Sequence, residues 1–259
     1  MTAGLVAGLV AAVLLFAACW AASLPRDDVS IVDVLWGPAF AVVGLVYAAV
    51  AGAGGVRAWL APVLVCIWGI RLGVHLGLRK RGQPEDHRYA AMRERRPETF
   101  RWRSLPTVFM LQAAIVWVVS WPLLVAVHDR HPAAMTALDW AGVLLFAVGL
   151  AFEAVGDLQL TRFRGDPSNR GGVMDRGLWR YTRHPNYFGD ALVWWGLTLI
   201  ALGGGWHLWV LVSPVVMSAL LMRFSGVGML ERHMSQRPGY REYMRRTNAF
   251  FPGPPRRAA

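Results

Sequence analysis

The sequence predicts an all-α protein, a polytopic membrane helix bundle of about seven transmembrane helices, with its N-terminus outside and its C-terminus in the cytoplasm. Three observations carry that expectation. The 259 residues are 55% hydrophobic and 17% charged and include 13 tryptophans, with a mean hydropathy of +0.37, which is not the composition of a soluble domain. The apolar residues fall into runs near the roughly 20 residues that a helix needs to cross about 30 Å of hydrocarbon. The cations gather at the ends of alternate runs.

The first run, Ala3 to Ala22, has no basic segment before it and is long enough to span, so it reads as a retained helix and not as a signal peptide. Further runs cover 34–51, 59–78, 105–127, 138–160, 187–202 and 208–229, and no alternating strand pattern competes with them. The connector "RKRGQPEDHRYAAMRERRPETFRWR", the connector "TRFRGDPSNRGGVMDRGLWRYTR" and the tail from Arg232 are strongly basic. The segments "AVAGAGGVRAW", "HDRHPAAMT" and "GGGWH" carry little or no positive charge. The positive-inside rule therefore places the three basic segments in the cytoplasm, and an odd number of spans agrees with that parity. Topology thus accounts for the net charge of +11 without a nucleic-acid partner. No internal repeat or linker divides the chain, so residues 1–259 read as a single integral membrane domain.

Ionisable groups inside the runs cost roughly 2.5–3.5 kcal/mol each on insertion scales, which makes each one a functional candidate. Glu153 and Asp157 stand at i,i+4 and share a helical face, as do Arg71 and His75. Asp33 heads the second run, and Asp190 lies one turn inside the sixth. The structural alternatives are an ion pair between Arg71 and one of these acids, and a helix cap for Asp33. Cys19 and Cys66 both lie within apolar runs and imply neither a disulfide framework nor zinc. His184 and His233 are a hairpin apart, and His128 and His131 fall on the outer side, so no metal is expected. The "GAGG" at Gly52 to Gly55 lacks the strand-turn-helix setting of a phosphate loop.

The connector before the sixth run holds Arg162, Arg164, Arg170, Arg176, Arg180 and Arg183, with Gly165, Gly171, Gly172 and Gly177 among them. Arginine is suited to bidentate phosphate recognition, and Trp179, Tyr181 and Tyr187 are placed to flank a heterocycle. A positive anchor on anionic lipid is the competing reading of the same arginines.

The order of residues adds a resemblance. "GLAFEAVGDLQLTRFR", then "GGVMDRGLWRYTRHPNYFGD", then "ERHMSQRPGYREYMRRTNAFFP" resembles the C-terminal region of the steroid 5-alpha-reductase family, and more closely its uncharacterised bacterial membrane relatives. Upstream, "IVDVLWG" and "WGIRLGVHLGLRKRGQPEDHRY" are similar to the same relatives. The resemblance implies a seven-helix bundle with NADPH on its cytoplasmic side and a lipidic enone as substrate, in a multi-pass protein of a bacterial plasma membrane. It makes 3–127 the substrate-side helices and 138–259 the cofactor-binding half. The cofactor residues it implies are Glu153, Asp157, Arg164, Arg180, Tyr181, Asn186, Gly189, Asp190, Glu231, His233 and Tyr243, and the connector itself adds Arg176, Arg183, His184 and Tyr187 as candidates. On the substrate side it points to Asp33, Trp68, Arg71 and His75.

Two departures matter. Trp68 stands where the steroid reductases have the tyrosine that bonds the substrate carbonyl, and Asp33 stands approximately where they have its partner glutamate. An acid and a phenol together polarise a ketone oxygen while hydride adds to the conjugated carbon. Trp68 offers only an indole N–H, so His75, one turn along, is the other candidate donor. The string "YTRHPNYFG" followed by "GYREY" also resembles isoprenylcysteine carboxyl methyltransferases and phospholipid methyltransferases, which bind S-adenosylmethionine. A non-catalytic lipid-binding protein is the third class. Oligomeric state is left open.

Overall fold

The computed structural model describes residues 1–52, 54–129, 134–224 and 227–256. His131 lies outside the described residues, and so does the side chain of His233. Among the described residues the chain is helical, with no strand and a single isolated bridge between Thr182 and Asn248. Among the described residues five helices are long and apolar enough to cross a membrane, which gives the chain the character of a multi-pass membrane protein. They are α1 (Thr2–Ser23, extended by a turn to Arg26), α2 (Ile31–Ala51), α3 (Val56–Lys80), α5 (Phe100–His128) and α6 (Ala137–Gly165). Between α3 and α5 lies the short polar α4 (His87–Arg95), in a segment whose sequence has no apolar stripe to announce a helix.

Beyond α6 the runs are less apolar or shorter. The 20-residue α7 (Pro185–Gly204) carries Asn186 and Asp190 in its first two turns, and α8 (Leu208–Arg223) is apolar but shorter. Two small helices follow, α9 (Val227–Met234) and α10 (Tyr240–Arg246). Helices α1, α2, α3, α5, α6 and α7 overshoot their apolar runs at one or both ends, because the hydrogen-bond ladder continues into residues that hydropathy alone excludes, whereas α8 ends short of the 208–229 run.

The chain divides into two compact units, one of Met1–Thr136 with Ile200–Val210, the other of Ala137–Leu199 with Leu211–Ala259. In the first, α2 and α3 meet where Gly37 and Gly69 oppose each other. A Cβ on Gly69 would stand 2.3 Å from the Gly37 carbonyl oxygen, so only glycine permits this approach. Trp68, Phe40 and Tyr47 fill the surrounding core, and the Tyr47 hydroxyl lies 2.9 Å from that of Ser120. Helix α5 is irregular for reasons visible in the sequence. Pro106 cannot donate to the ladder and falls in a π-helical turn, Leu105–Met110, and a second break at Ser120 precedes Pro122.

In the second unit, Gly142, Gly149 and Gly156 recur every seven residues on α6 and face Gly196, Gly189 and the start of α7. A Cβ on Gly189 would stand 2.4 Å from the Gly149 carbonyl oxygen, and one on Gly196 2.7 Å from that of Gly142. This seam of small residues lets the two helices run backbone against backbone.

Candidate functional site

In the second unit the connector from α6 to α7 is shaped by short turns. Asp166 accepts from the backbone N–H of Ser168 and closes one turn, and Gly177, at φ +58, opens the turn Gly177–Arg180. The side chain of Gln159 accepts from the Leu178 N–H at 3.0 Å, while the Trp179 indole donates to the Gly156 carbonyl at 3.0 Å. Pro185 then begins α7 at the first helical position, where its missing N–H costs nothing.

The segment after α10 straps this connector down. The Arg183 N–H donates to the Asn248 carbonyl at 2.9 Å, the Thr182 hydroxyl donates to that of Phe250 at 2.8 Å, and the Gly253 N–H donates to Tyr181 at 3.0 Å. The Tyr243 hydroxyl adds a bond to the Trp179 carbonyl at 2.5 Å.

The same connector, with residues from α9 to α10, lines a pocket of about 200 Å³ built entirely within the second unit. Arg164, Arg170, Arg183 and Arg237 supply cations, and Phe163, Trp179, Tyr240 and Tyr243 supply rings. Gly171 and Gly172 bring backbone to its edge. The volume lies below the roughly 300–1,000 Å³ usual for small-molecule sites.

Beside it, Arg183 and His184 converge on Glu231. Arg183 donates from Nε to Glu231 Oε1 at 2.6 Å and from Nη2 to Oε2 at 2.9 Å, and its Nη1 donates to the carbonyls of Met244, at 3.0 Å, and Thr247. His184 Nε2 lies 3.2 Å from Glu231 Oε1, and its ring stacks on Tyr187 at 5.4 Å and 3°. Burial opposes ionisation of Glu231, but His184 and Arg183 outweigh it and hold the carboxyl down to about 2. Burial, followed by the Glu231 charge, pushes the Tyr240 phenol up to about 12.

These contacts revise several sequence expectations. Arg183, expected to face phosphate, is 7% exposed and spends its donors on Glu231 and two carbonyls, so it braces the pocket wall. Gly189 serves the α6–α7 seam, where its lack of a side chain is used against backbone and not against a ligand. Arg176, Arg180 and Tyr181 are exposed and fall outside the pocket lining, whereas Arg164, His184 and Tyr243 belong to it. Glu153, Asp157 and Asp190 are buried on the facing helices, and Asn186 donates to Asp157 at 3.1 Å. Arg237 and Tyr240 are lining residues that the reading overlooked, although "RPGYREY" contains both.

The first unit holds a separate polar cluster. Asp33 does not cap α2, which begins after Ser30; its carboxylate accepts from Arg88 Nη2 at 2.7 Å and from the Tyr89 hydroxyl at 2.9 Å. Asp86 caps α4 through the Arg88 N–H at 3.0 Å and also accepts from Arg88 Nε at 2.8 Å. Glu85 accepts from the Val29 N–H at 2.8 Å and from Arg93 at 2.9 Å, which pins α4 over the first turn of α2. Burial first, then the Asp33 charge, raises the Tyr89 phenol well above its ordinary value, so it remains a proton donor at neutral pH. Burial would lower the Arg88 guanidinium, but Asp86 and Asp33 reverse that and hold it higher.

Trp68 is wholly buried between α2 and α3, with its ring tilted on Phe40 at 5.7 Å. Its ring is part of the core, and the phenol beside Asp33 is that of Tyr89. Arg71 and His75 lie half-buried on α3. No group of three or more potential metal ligands gathers among the described residues.

A model of the family described as "Protein of unknown function (DUF1295)" matches residues 19–247. The chain belongs to DUF1295. DUF1295 is a steroid 5-alpha-reductase-like family. The chain is 25% identical over 276 aligned residues to an uncharacterised protein of Schizosaccharomyces pombe, covering 95% of this chain and 79% of that one. It is 38% identical over 64 residues to "Probable O-methyltransferase ustE" of Ustilaginoidea virens, covering 25% of this chain and 22% of that one. No solved structure matches this member of DUF1295.

Proposed function

We propose that this protein is an NADPH-dependent membrane oxidoreductase that reduces an activated C=C bond of a lipidic substrate, steroid-like, polyprenyl or acyl in type. The observation that carries the reading is the pocket of the second unit, where arginines and aromatic rings line one cavity. Arg164, Arg170 and Arg237 suit phosphate groups, and Trp179, Tyr240 and Tyr243 suit a planar base. NADPH, when bound, supplies hydride to the conjugated carbon.

The chain's own contribution on the substrate side is the Asp33–Tyr89 pair. The Tyr89 O–H, which donates to Asp33, has a substrate carbonyl oxygen as its alternative acceptor, and it strengthens as enolate charge develops there. Arg88 holds the Asp33 carboxylate in place from the other side. Asp33→Asn should spare cofactor binding and remove turnover. Retained turnover would remove Asp33 from the catalytic set.

Seven spans, an external N-terminus and a cytoplasmic cofactor site in a plasma membrane belong to the same proposal, supported by the alternation of basic and nearly uncharged connectors. The purified protein in detergent should gain melting temperature with NADPH and not with S-adenosylmethionine. The opposite preference would replace the reductase reading by methyl transfer, which the match to "Probable O-methyltransferase ustE" favours. No response to either would support a lipid-binding protein.

A further inference from the structure

The strap after α10 holds its backbone against the connector but turns one large ring outward. Phe251 is 64% exposed, next to the buried Phe250. The two rings meet edge to face at 5.3 Å, and both reach Phe188 in the first turn of α7, at 5.9 and 6.3 Å. Phe188 in turn meets Phe152 of α6 at 5.3 Å. Four phenylalanines from three segments of the second unit thus form one continuous cluster, open at Phe251.

What covers that open ring follows from the other end of the cluster. Helix α6 is long and apolar enough to cross a membrane, and Val148 and Val155 are exposed on it. Phe152 stands four residues after the first and three before the second, so it shares their face, which on a spanning helix is turned to lipid. Phe152 also precedes Arg162, the first cation on α6, by ten residues, or about 15 Å of helix axis. The cluster therefore starts on the hydrocarbon side of the boundary. Two ring contacts, of 5.3 and 6.3 Å, are all that separate Phe251 from that depth. The residues that follow suit such a place: Pro252, Pro254 and Pro255 bring no N–H that would need a partner away from water, and Arg256 is exposed and suited to lipid phosphate.

We infer that residues 250–254 are a bilayer contact, in which the Phe251 ring enters the boundary between acyl chains and headgroups of the leaflet beside the basic connector. The occupant of this surface is lipid, and the inference stands whichever cofactor the pocket takes. It gives the strap a second role. The segment that ties down Tyr181, Thr182 and Arg183 through hydrogen bonds is itself moored in the membrane, so the connector is fixed between the helices and the lipid surface.

The test places a nitroxide at residue 251 through Phe251→Cys, in the full-length protein with Cys19→Ala and Cys66→Ala, reconstituted in nanodiscs of phosphatidylcholine and phosphatidylglycerol. Leu144→Cys, exposed on α6, and Ser168→Cys, exposed in the connector, give the lipid and water references. Oxygen should relax the label at 251 severalfold more than a water-soluble nickel chelate does, as at residue 144. Preference for the nickel chelate, as at residue 168, would put the ring in water and overturn the inference. Protection from both reagents would put protein over it, a second copy or another partner, and overturn it equally. A second measurement avoids both the apolar label and the cysteine replacements: with p-benzoylphenylalanine in place of Phe251, illumination in the same nanodiscs should yield adducts of lipid mass. Adducts with protein alone, or none, would overturn the inference.

Discussion

At the scale of single residues, the pairing of Asp33 with Tyr89 decides what the first unit has to offer. Tyr89→Phe removes one hydroxyl from a buried position and leaves the Arg88 bond to Asp33 intact. Turnover should fall about 100-fold or more, as for loss of a general acid, with NADPH affinity unchanged. Equal turnover in steady-state assays of both proteins would remove Tyr89 from the reaction. The residue escaped the sequence reading because Asp33 and Tyr89 are separated by a whole membrane helix and a polar connector. Tertiary contacts bring them together, among them Glu85 with the Val29 N–H, the Asp86 N–H with the Ser30 hydroxyl, and Arg88 with Asp33.

Glu231 gives a second prediction at this scale. Its carboxyl ordinarily titrates near 4.5 and is held down to about 2 when folded, so its contribution is complete above the unfolded value and is lost as pH falls toward the folded one. Discounted for solvent screening, that contribution is on the order of 2 kcal/mol. Melting temperature should therefore decline between pH 4.5 and about 2, and Glu231→Gln should melt lower at pH 7 with a flatter decline over that window. An unchanged slope in the variant would mean that other carboxylates carry the acid sensitivity.

At the scale of elements, the seam between α6 and α7 depends on what is missing from its side chains. Gly189→Ala places a methyl 2.4 Å from one backbone oxygen and 2.5 Å from the Glu153 nitrogen, neither of which yields as a flexible side chain would. The cost should be about 1–3 kcal/mol, read as a lower melting temperature in detergent. Gly165→Ala, with nothing within 4 Å of its Cβ, is the control and should change stability by less than about 0.5 kcal/mol. The long helices were legible as apolar runs because membrane insertion demands a contiguous signal. The seven-residue glycine spacing was equally present in the sequence, but glycines in a connector and glycines in a helix look alike until a partner helix is known. The ligand-facing expectation for Gly189 came from the family resemblance, which does not reveal the helix that packs against it. Helix α4 left no signal, since its order comes from the Asp86 cap and from tertiary ion pairs, not from an apolar face.

At the scale of the whole molecule, alternating basic connectors predict orientation independently of any side-chain geometry. A fluorescent protein fused after residue 256 should glow in the cytoplasm, whereas alkaline phosphatase at the same point should be inactive. The opposite pair of results would invert the topology and move the arginine-rich connector to the outer face. The basic connector was readable as a ligand-binding or lipid-facing segment, but which arginines line the pocket was not. Arg183 and Arg237 exchange their expected importance because the former is consumed by Glu231, a partner 48 residues away in sequence.

The strap formed by residues 247–253 also sets an order of assembly. The connector ahead of α7 leaves the ribosome well before Asn248, Phe250 and Gly253, the residues that tie down Thr182, Arg183 and Tyr181. The pocket is therefore among the last features to be completed during synthesis. A nascent chain interrupted before residue 247 would already contain the apolar helices yet leave this connector untethered, which makes quality control of truncated products separable from insertion.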